Sequence, residues 1–65
     1  MIEIKSEDLR AAIQAAYDFD VKNGTRVDES SGQFTGNFYH ETYEFNGKTR
    51  EYYFDNNKLF GYEDI

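Results

Sequence analysis

The sequence contains no cysteine, no proline and no tryptophan, and it has a single histidine among its 65 residues. Without cysteine, the chain has no disulfide, no thiolate metal site and no cysteine nucleophile. Basic residues are also scarce: 7 Lys and Arg stand against 13 Asp and Glu, which gives a formal net charge of −6. This charge argues against direct binding of nucleic acid, because that affinity comes largely from Lys and Arg contacts with phosphates.

Aromatic residues, by contrast, are abundant, with 6 Tyr and 6 Phe making up 18% of the sequence. Disordered chains are poor in aromatic residues, so we expect this chain to fold. Its length allows one domain spanning residues 1–65. The hydrophobic core of so small a domain rarely contributes more than about 3–5 kcal/mol to the free energy of unfolding, and small proteins often gain further stability by self-association. A homodimer is therefore one expected form of the protein.

No segment of the sequence has the character of a membrane span or a secretion signal. The longest apolar runs fall far short of the roughly 20 residues that a spanning helix needs. The first residues also lack a basic segment followed by an apolar stretch. We therefore expect the protein to act in the cytoplasm, either of its producer or of a host, without a membrane partner.

One amphipathic helix is predicted from about Glu7 to Lys22. Ser6 is a good N-cap residue, and Asn23-Gly24 is typical of a helix end. Apolar residues at spacings of three and four form one stripe, made of Leu9, Ala12, Ile13, Ala16 and Tyr17. The stripe predicts that one side of the helix packs on the rest of the domain.

The second half of the sequence has β character. Asn46-Gly47, between two aromatic-rich runs, is a strong hairpin signal, and Asn56-Asn57 is a second turn candidate. A bulge is expected at Gly36. The predicted strands are about Phe34–Phe45, Lys48–Asp55 and Lys58–Ile65, with shorter candidates at the N-terminus around Ile2–Ile4 and at Thr25–Val27.

Two-residue turns at both hairpins predict the register of the sheet. Tyr53 then faces Phe60, and a second pairing puts Arg50 opposite Glu63. One sheet face carries Tyr39, Tyr43, Phe45, Tyr52, Phe54 and Leu59. The other carries Phe38, Tyr53, Phe60 and Tyr62, together with His40, Thr42, Glu44 and Glu51. We predict an α+β fold in which the helix packs on the first, more apolar face of a three-stranded antiparallel β-meander, with a short N-terminal edge strand.

The second face is the predicted interaction surface. Its aromatic residues are Phe38, Tyr53, Phe60 and Tyr62. A contiguous exposed aromatic surface usually marks an interaction site. Two alternatives stay open: the connection around residues 25–33 or the N-terminal strand covers this face, or a second copy of the chain buries it.

Residues that could carry catalysis or bind a metal are sparse. His40 has Glu51 and Tyr53 as predicted neighbours but no suitable nucleophile, so we expect it to be structural. The acids from Asp18 to Glu29 have a spacing similar to an EF-hand loop, but Lys22 stands where that loop needs an oxygen ligand. We therefore predict a non-enzymatic protein with no catalytic residue, no metal and no cofactor.

The acidic residues suggest what such a protein could bind. They occur in the loop, the sheet and the C-terminal segment: Asp28, Glu29, Glu41, Glu44, Glu51, Glu63 and Asp64. Acidic surfaces provide solubility, and they also attract basic surfaces. Small phage inhibitors of restriction and CRISPR nucleases use carboxylates in place of phosphates and rings in place of bases. The sequence thus predicts an anti-defence type of inhibitor that binds a basic, nucleic-acid-handling protein, with solubility alone as the alternative.

The order of elements also resembles a known family. A helix followed by Tyr43-Glu44-Phe45-Asn46-Gly47-Lys48 and by Glu51-Tyr52-Tyr53-Phe54-Asp55 is similar to the PepSY domain, over about Ser6 to Leu59. The chain departs from the family pattern after Asp55, where Asn56 replaces the usual Gly. The resemblance implies a helix followed by three strands, in a non-enzymatic protease-regulating or binding module. Members of the family mostly work outside the membrane, whereas this sequence shows no secretion signal.

Overall fold

One helix packs on a five-stranded antiparallel sheet in the computed structural model, which describes residues 1–28 and 37–65. The predicted α+β fold is confirmed. The elements are β1 (Ile2–Glu3), α1 (Glu7–Asn23), β2 (Thr25–Arg26), β3 (Phe38–Phe45), β4 (Lys48–Asp55) and β5 (Lys58–Asp64). The strand order is β1-β5-β4-β3-β2, so the two shortest strands form the edges of the sheet.

The helix begins and ends where the sequence predicts. The Oγ atom of Ser6 accepts a hydrogen bond from the backbone N–H of Leu9 at 3.1 Å, which satisfies one of the unpaired donors of the first turn. At the other end, Gly24 donates to the carbonyl of Asp20 at 2.8 Å. A Cβ atom on Gly24 would lie 2.9 Å from the carbonyl oxygens of Asp20 and Glu44, so glycine allows the helix end to approach β3.

Both predicted hairpin turns are present. Asn46 and Gly47 have φ values of 54° and 80°, and Asn56 and Asn57 have values of 55° and 68°. Two successive residues with positive φ are the requirement of a type I′ turn, whose twist matches that of the flanking strands. The predicted pairing of β3 with β4 follows and is confirmed from Phe45 opposite Lys48 to Tyr39 opposite Phe54.

The pairing of β4 with β5 differs from the prediction because β5 contains a bulge. Phe54 faces Leu59, but the next pair is Tyr53 with Gly61, which leaves Phe60 as the extra residue. The predicted pairs Tyr53–Phe60 and Arg50–Glu63 are therefore wrong. The bulge turns Tyr62 toward the helix side of the sheet, where it packs against the core.

The predicted meander runs from Phe34 to Ile65. The predicted start at Phe34 and the predicted bulge at Gly36 lie outside the described residues, and β3 begins at Phe38. At the other end, β5 stops at Asp64 rather than Ile65.

The core lies between α1 and the sheet. Its buried residues are Ile4, Ile13, Tyr43, Tyr52, Phe54 and Leu59. The ring of Tyr17 meets those of Tyr43, Tyr52 and Phe54 edge-on at centroid distances of 5.9, 5.1 and 5.2 Å. Leu9 also packs against this cluster, so the predicted packing of the helix stripe is confirmed.

The hydroxyl groups of the core tyrosines donate hydrogen bonds to carboxylates. Tyr17 and Tyr43 each donate a hydrogen bond of 2.7 Å to the same atom, Oε1 of Glu41. Tyr52, which has no exposed surface, donates to Oδ2 of Asp20 at 2.5 Å. These bonds satisfy hydroxyl groups that would otherwise be costly to bury.

Candidate protein-binding face

The sheet has an inner face, which packs against α1, and an outer face, which points away from it. Successive side chains of a strand alternate between faces, and Tyr52 defines the inner face because it contacts Tyr17. The outer face then holds Glu3, Thr25, Phe38, His40, Thr42, Glu44, Thr49, Glu51, Tyr53, Asp55, Lys58, Phe60, Gly61 and Glu63.

Alternation along the strands separates charges of opposite sign. Five acids lie on the outer face, namely Glu3, Glu44, Glu51, Asp55 and Glu63, and its basic residues are Lys58 and His40. The inner-face strand positions hold Arg26, Lys48 and Arg50, balanced by Glu41 and Asp64. The outer face is therefore strongly acidic, whereas the inner face is nearly balanced.

Two of the outer-face acids stand directly opposite each other. Glu51 of β4 pairs with Glu63 of β5, and like charges in this position are unfavourable. The hydroxyl of Tyr53 donates to Oε1 of both carboxylates, at 2.8 and 3.3 Å. Nε2 of His40 lies 3.4 Å from Oε2 of Glu51, and the amino group of Met1 lies 3.4 Å from Oε1 of Glu63. These donors offset part of the repulsion between the two acids.

Burial and the hydrogen bond to Glu51 raise the pKa of Tyr53 well above its usual value. The phenol therefore stays protonated as a hydrogen-bond donor and is a poor nucleophile. Among the described residues, His40 lies beside Glu51 and Tyr53, the neighbours that the sequence predicts for it. In the described parts of the chain, no three His, Asp or Glu side chains are grouped so that they could hold a metal.

Aromatic rings form the second component of the outer face. Phe38 is 41% exposed, and Tyr53 and Phe60 are half-buried. The ring of Phe60 lies 5.9 Å from that of Phe38 and 6.5 Å from that of Tyr53. Tyr62 was expected in this group, but the bulge places it on the inner face opposite Tyr52, where Arg50 lies 5.2 Å above its ring.

The predicted acidic residues fall into three groups, two of which lie in the sheet. Glu44, Glu51 and Glu63 come together on the outer face, and Glu44 and Glu63 are exposed there. Glu41, by contrast, accepts hydrogen bonds beneath the helix, and Asp64 accepts one from Nε of Arg50 at 2.5 Å.

The remaining two acids of that prediction lie in or near the connection after β2. Glu29 lies outside the described residues. Asp28 accepts hydrogen bonds from Arg26 and from the backbone N–H of Thr42 in the neighbouring strand. Its carboxylate therefore joins the end of β2 to β3.

Glu3 and Asp55 are outer-face acids that the sequence analysis did not select. Both are exposed, and neither forms an ion pair among the described residues. A signal for Asp55 was present, because the predicted register already put it opposite Lys58. Glu3 gave no such signal, since the predicted register did not extend to β1.

A concave surface lies on the helix side of the sheet. This groove has a volume of about 550 Å³ and runs between the C-terminal half of α1 and the turn that joins β3 to β4. Phe19 and Phe45 meet edge-on in it, with ring centroids 4.9 Å apart. They are 47% and 40% exposed, so the helix covers only part of the inner face.

Comparison with protein-family models, curated proteins and solved structures found no match to this chain. The PepSY resemblance and the proposed class of partner therefore stay predictions. Among the described residues, no helix has the length and apolar character needed to cross a bilayer.

Asp28→Asn should destabilise the fold at neutral pH and have little effect in strong acid. The hydrogen bonds from Arg26, followed by the one from Thr42, lower the pKa of Asp28 from 3.8 to about 2, against the opposing effect of burial. This stabilisation is present above about pH 3.8 and is lost as the pH falls through 2. Because Arg26 is exposed and solvent screens the pair, we expect a loss of about 1–2 kcal/mol at pH 7.

Urea unfolding of Asp28→Asn and of the unmodified protein, from pH 7 down to pH 2, measures this difference. Asparagine keeps an oxygen that can accept from Thr42 but replaces the second oxygen, which accepts from Arg26, by an amide NH2 group. The comparison therefore measures the loss of the charge together with one hydrogen bond from Arg26. Equal stability of the two proteins at pH 7 would contradict the structural role of Asp28.

Proposed function

We propose that this chain is a small, non-enzymatic inhibitor that docks its outer face on the basic surface of a nucleic-acid-handling protein. It would act in the cytoplasm, of its producer or of a host, as anti-defence inhibitors of phages do. The observation that carries the proposal is the concentration of five acids beside exposed rings on one face of the sheet. A matching partner has a cleft lined by Lys and Arg.

The charge of the outer face supports a basic partner more specifically than the net charge does. Acids retained only for solubility need no common location. Here the alternation of the strands gathers Glu3, Glu44 and Asp55 with the opposed pair Glu51 and Glu63. Such a single-sign surface attracts an oppositely charged cleft over long distances and speeds association.

The opposed pair of acids gives a second reason to expect a cationic partner. Glu51 and Glu63 repel each other in the isolated protein. A Lys or Arg side chain of the partner placed between them would remove this repulsion and add charge-assisted hydrogen bonds. The gain would be greatest at Glu51, since its side chain is only 20% exposed and less screened by solvent.

The rings would supply the part of the binding free energy that does not depend on charge. Phe38 and Phe60 sit beside the acids, in the way that bases sit beside phosphates in a nucleic acid. A cleft that binds single strands stacks bases on its own aromatic side chains. The same cleft could receive these two rings, so that the inhibitor and the nucleic acid compete for one site.

Two matched triple variants test this proposal. The outer-face variant carries Glu3→Gln, Glu44→Gln and Asp55→Asn. The helix variant carries Glu7→Gln, Asp8→Asn and Asp18→Asn. All six residues are exposed, and each variant changes the formal charge from −6 to −3. The pair therefore separates the position of the charges from their number.

Both variants and the unmodified protein would be immobilised and exposed to bacterial lysate at low and high salt. We expect the unmodified protein and the helix variant to retain nucleic-acid-binding proteins, which single- or double-stranded DNA then displaces. The outer-face variant should retain little of them. Equal retention by both variants, or bound proteins that nucleic acid does not displace, would contradict the proposal.

A PepSY-like protease-regulating module is the second candidate. The observation that favours it is the order of elements: α1, the Asn46-Gly47 turn and an aromatic strand that ends at Asp55. In the same capture experiment this function predicts a protease as the bound protein, with no displacement by DNA. Inhibition of that protease by both triple variants would favour this candidate over the first.

A further inference from the structure

The groove on the helix side combines exposed rings with a balanced charge. Its apolar residues are Ala16, Phe19, Phe45 and Ile65, and the two Phe side chains are close to half-exposed. Its charged residues are two acids, Asp20 and Asp64, and two bases, Lys48 and Arg50. On a chain with a net charge of −6, this is a surface where another acidic molecule meets no net repulsion.

The four charges of the groove are not all engaged in the same way. Arg50 donates to Asp64, and Asp20 accepts from Tyr52. Lys48 is exposed and forms no ion pair among the described residues. The groove therefore offers an exposed cation, Lys48, and an exposed acid, Asp64, and such a combination can be complementary to itself across a two-fold axis.

We propose that a second copy of this chain occupies the groove, so that Phe19 and Phe45 of the two copies pack together in a symmetric dimer. A domain of this size has a small core, and association is a common supplement to its stability. The outer face is the less suitable place for a homodimer, because each copy would bring five acids against five others. The dimer leaves both outer faces accessible, so this inference does not depend on the proposed function.

The dimer should be weak and should strengthen with salt. The exposed parts of two Phe side chains from each copy bury less than the ~1,200 Å² typical of stable interfaces. The long-range repulsion between two chains of charge −6 opposes association, and added salt screens it. This salt dependence is opposite in sign to that expected for docking on a basic partner, so the two proposals can fail separately.

The structure offers a matched pair of substitutions for the test. Phe38 and Phe45 are the first and last residues of β3, and they are 41% and 40% exposed. They point to opposite faces of the sheet, because they are seven positions apart along the strand, which is an odd number. Phe45→Thr should weaken the dimer, whereas Phe38→Thr should leave it unchanged.

Analytical ultracentrifugation over a concentration series, at low and high salt, measures the association. We expect a mass of 7.7 kDa at low concentration that approaches twice this value near ~1 mM. Phe45→Thr should raise the dissociation constant at least tenfold, since the symmetric interface contains each substitution twice. Phe19→Gln changes the other ring of this contact and should also raise the dissociation constant at least tenfold. It serves as the test if Phe45→Thr does not fold.

Two results would overturn the inference. One is a monomeric mass for the unmodified protein throughout the series at both salt concentrations. The other is a dimer that Phe38→Thr weakens as much as Phe45→Thr does, because the outer face would then be the site of association.

Discussion

Replacing Ile13 by alanine should unfold a large part of the protein at room temperature. Ile13 is the helix residue buried deepest in the core, at 6% exposure, and it lies among the buried residues of the sheet. Removing such a side chain costs about 2–5 kcal/mol, because apolar contacts are lost and a cavity remains. A core of this size rarely supplies more than about 3–5 kcal/mol in total.

Thermal unfolding followed by circular dichroism would measure this loss. Val21→Ala is the control, since Val21 lies on the same helix but is 50% exposed. We expect the control to change stability by less than about 0.5 kcal/mol. A melting curve of Ile13→Ala that coincides with those of the control and the unmodified protein would contradict the packing of α1 on the sheet.

At alkaline pH, the free energy of unfolding should fall more steeply than deprotonation of the lysines and arginines alone would cause. Burial, reinforced by the hydrogen bond to Glu41, raises the pKa of Tyr43 from 10.0 to about 12. Burial also raises the pKa values of Tyr17 and Tyr52, whose hydroxyls donate to Glu41 and Asp20. In all three cases the folded state holds the phenolic proton more tightly than the unfolded chain does.

The sign of the effect follows from this difference. Because the folded-state pKa is raised, the stabilisation is complete below about pH 10 and is lost as the pH rises from there through about 12 for Tyr43. Each buried phenol lowers the free energy of unfolding by about 1.4 kcal/mol per pH unit in this window. Tyr43 and Tyr52 together thus remove about 3 kcal/mol per unit, comparable to the whole stability of a small domain.

Denaturant unfolding at a series of pH values tests this, together with the ultraviolet absorbance of tyrosinate. Tyr43→Phe is the informative variant, since it removes one phenol that titrates but keeps the ring in the core. Its free energy of unfolding should fall less steeply above pH 10, by about 1.4 kcal/mol per unit. If the free energy of unfolding falls with pH at the same rate in both proteins, the pKa of Tyr43 is not raised by burial and this prediction is wrong.

Much of the fold could be predicted because local signals decided it. Ser6 caps the helix through its own side chain, and Asn46-Gly47 takes the positive φ angles that a tight hairpin requires. Neither feature needs information from distant parts of the chain. The β3–β4 register followed directly from the length of that turn.

The bulge at Phe60 could not be predicted in the same way. It depends on whether the domain gains more by burying Tyr62 against Tyr52 or by keeping the regular register, and this requires the packed core. The sequence offered Gly36 as the candidate for a bulge, since glycine often marks one. In β5, Gly61 follows the extra residue, and a Cβ there would lie 2.5 Å from the sulfur of Met1.

The candidate binding face was predicted in part. Glu44 and Glu51 follow from strand alternation, as does the exposed ring of Phe38. Glu63 reaches this face only because of the bulge in β5, since the predicted register put it opposite Arg50 on the helix side. The intramolecular partners of Asp28 and Glu41 could not be read from the sequence. They depend on where the chain runs after β2 and on the position of Tyr17 above the sheet.

The most direct test of the central proposal is a measurement of association rates. The unmodified protein is first used to capture a partner, and the association rate constant of each triple variant with that partner is then measured. If the outer face docks on a basic cleft, Glu3→Gln, Glu44→Gln and Asp55→Asn together should lower the association rate constant about tenfold at low salt, with a smaller change in the dissociation rate. The helix variant, which has the same net charge, should associate nearly as fast as the unmodified protein. Equal association rates for the two variants, unchanged by salt, would contradict the proposal that the acids of the outer face direct binding.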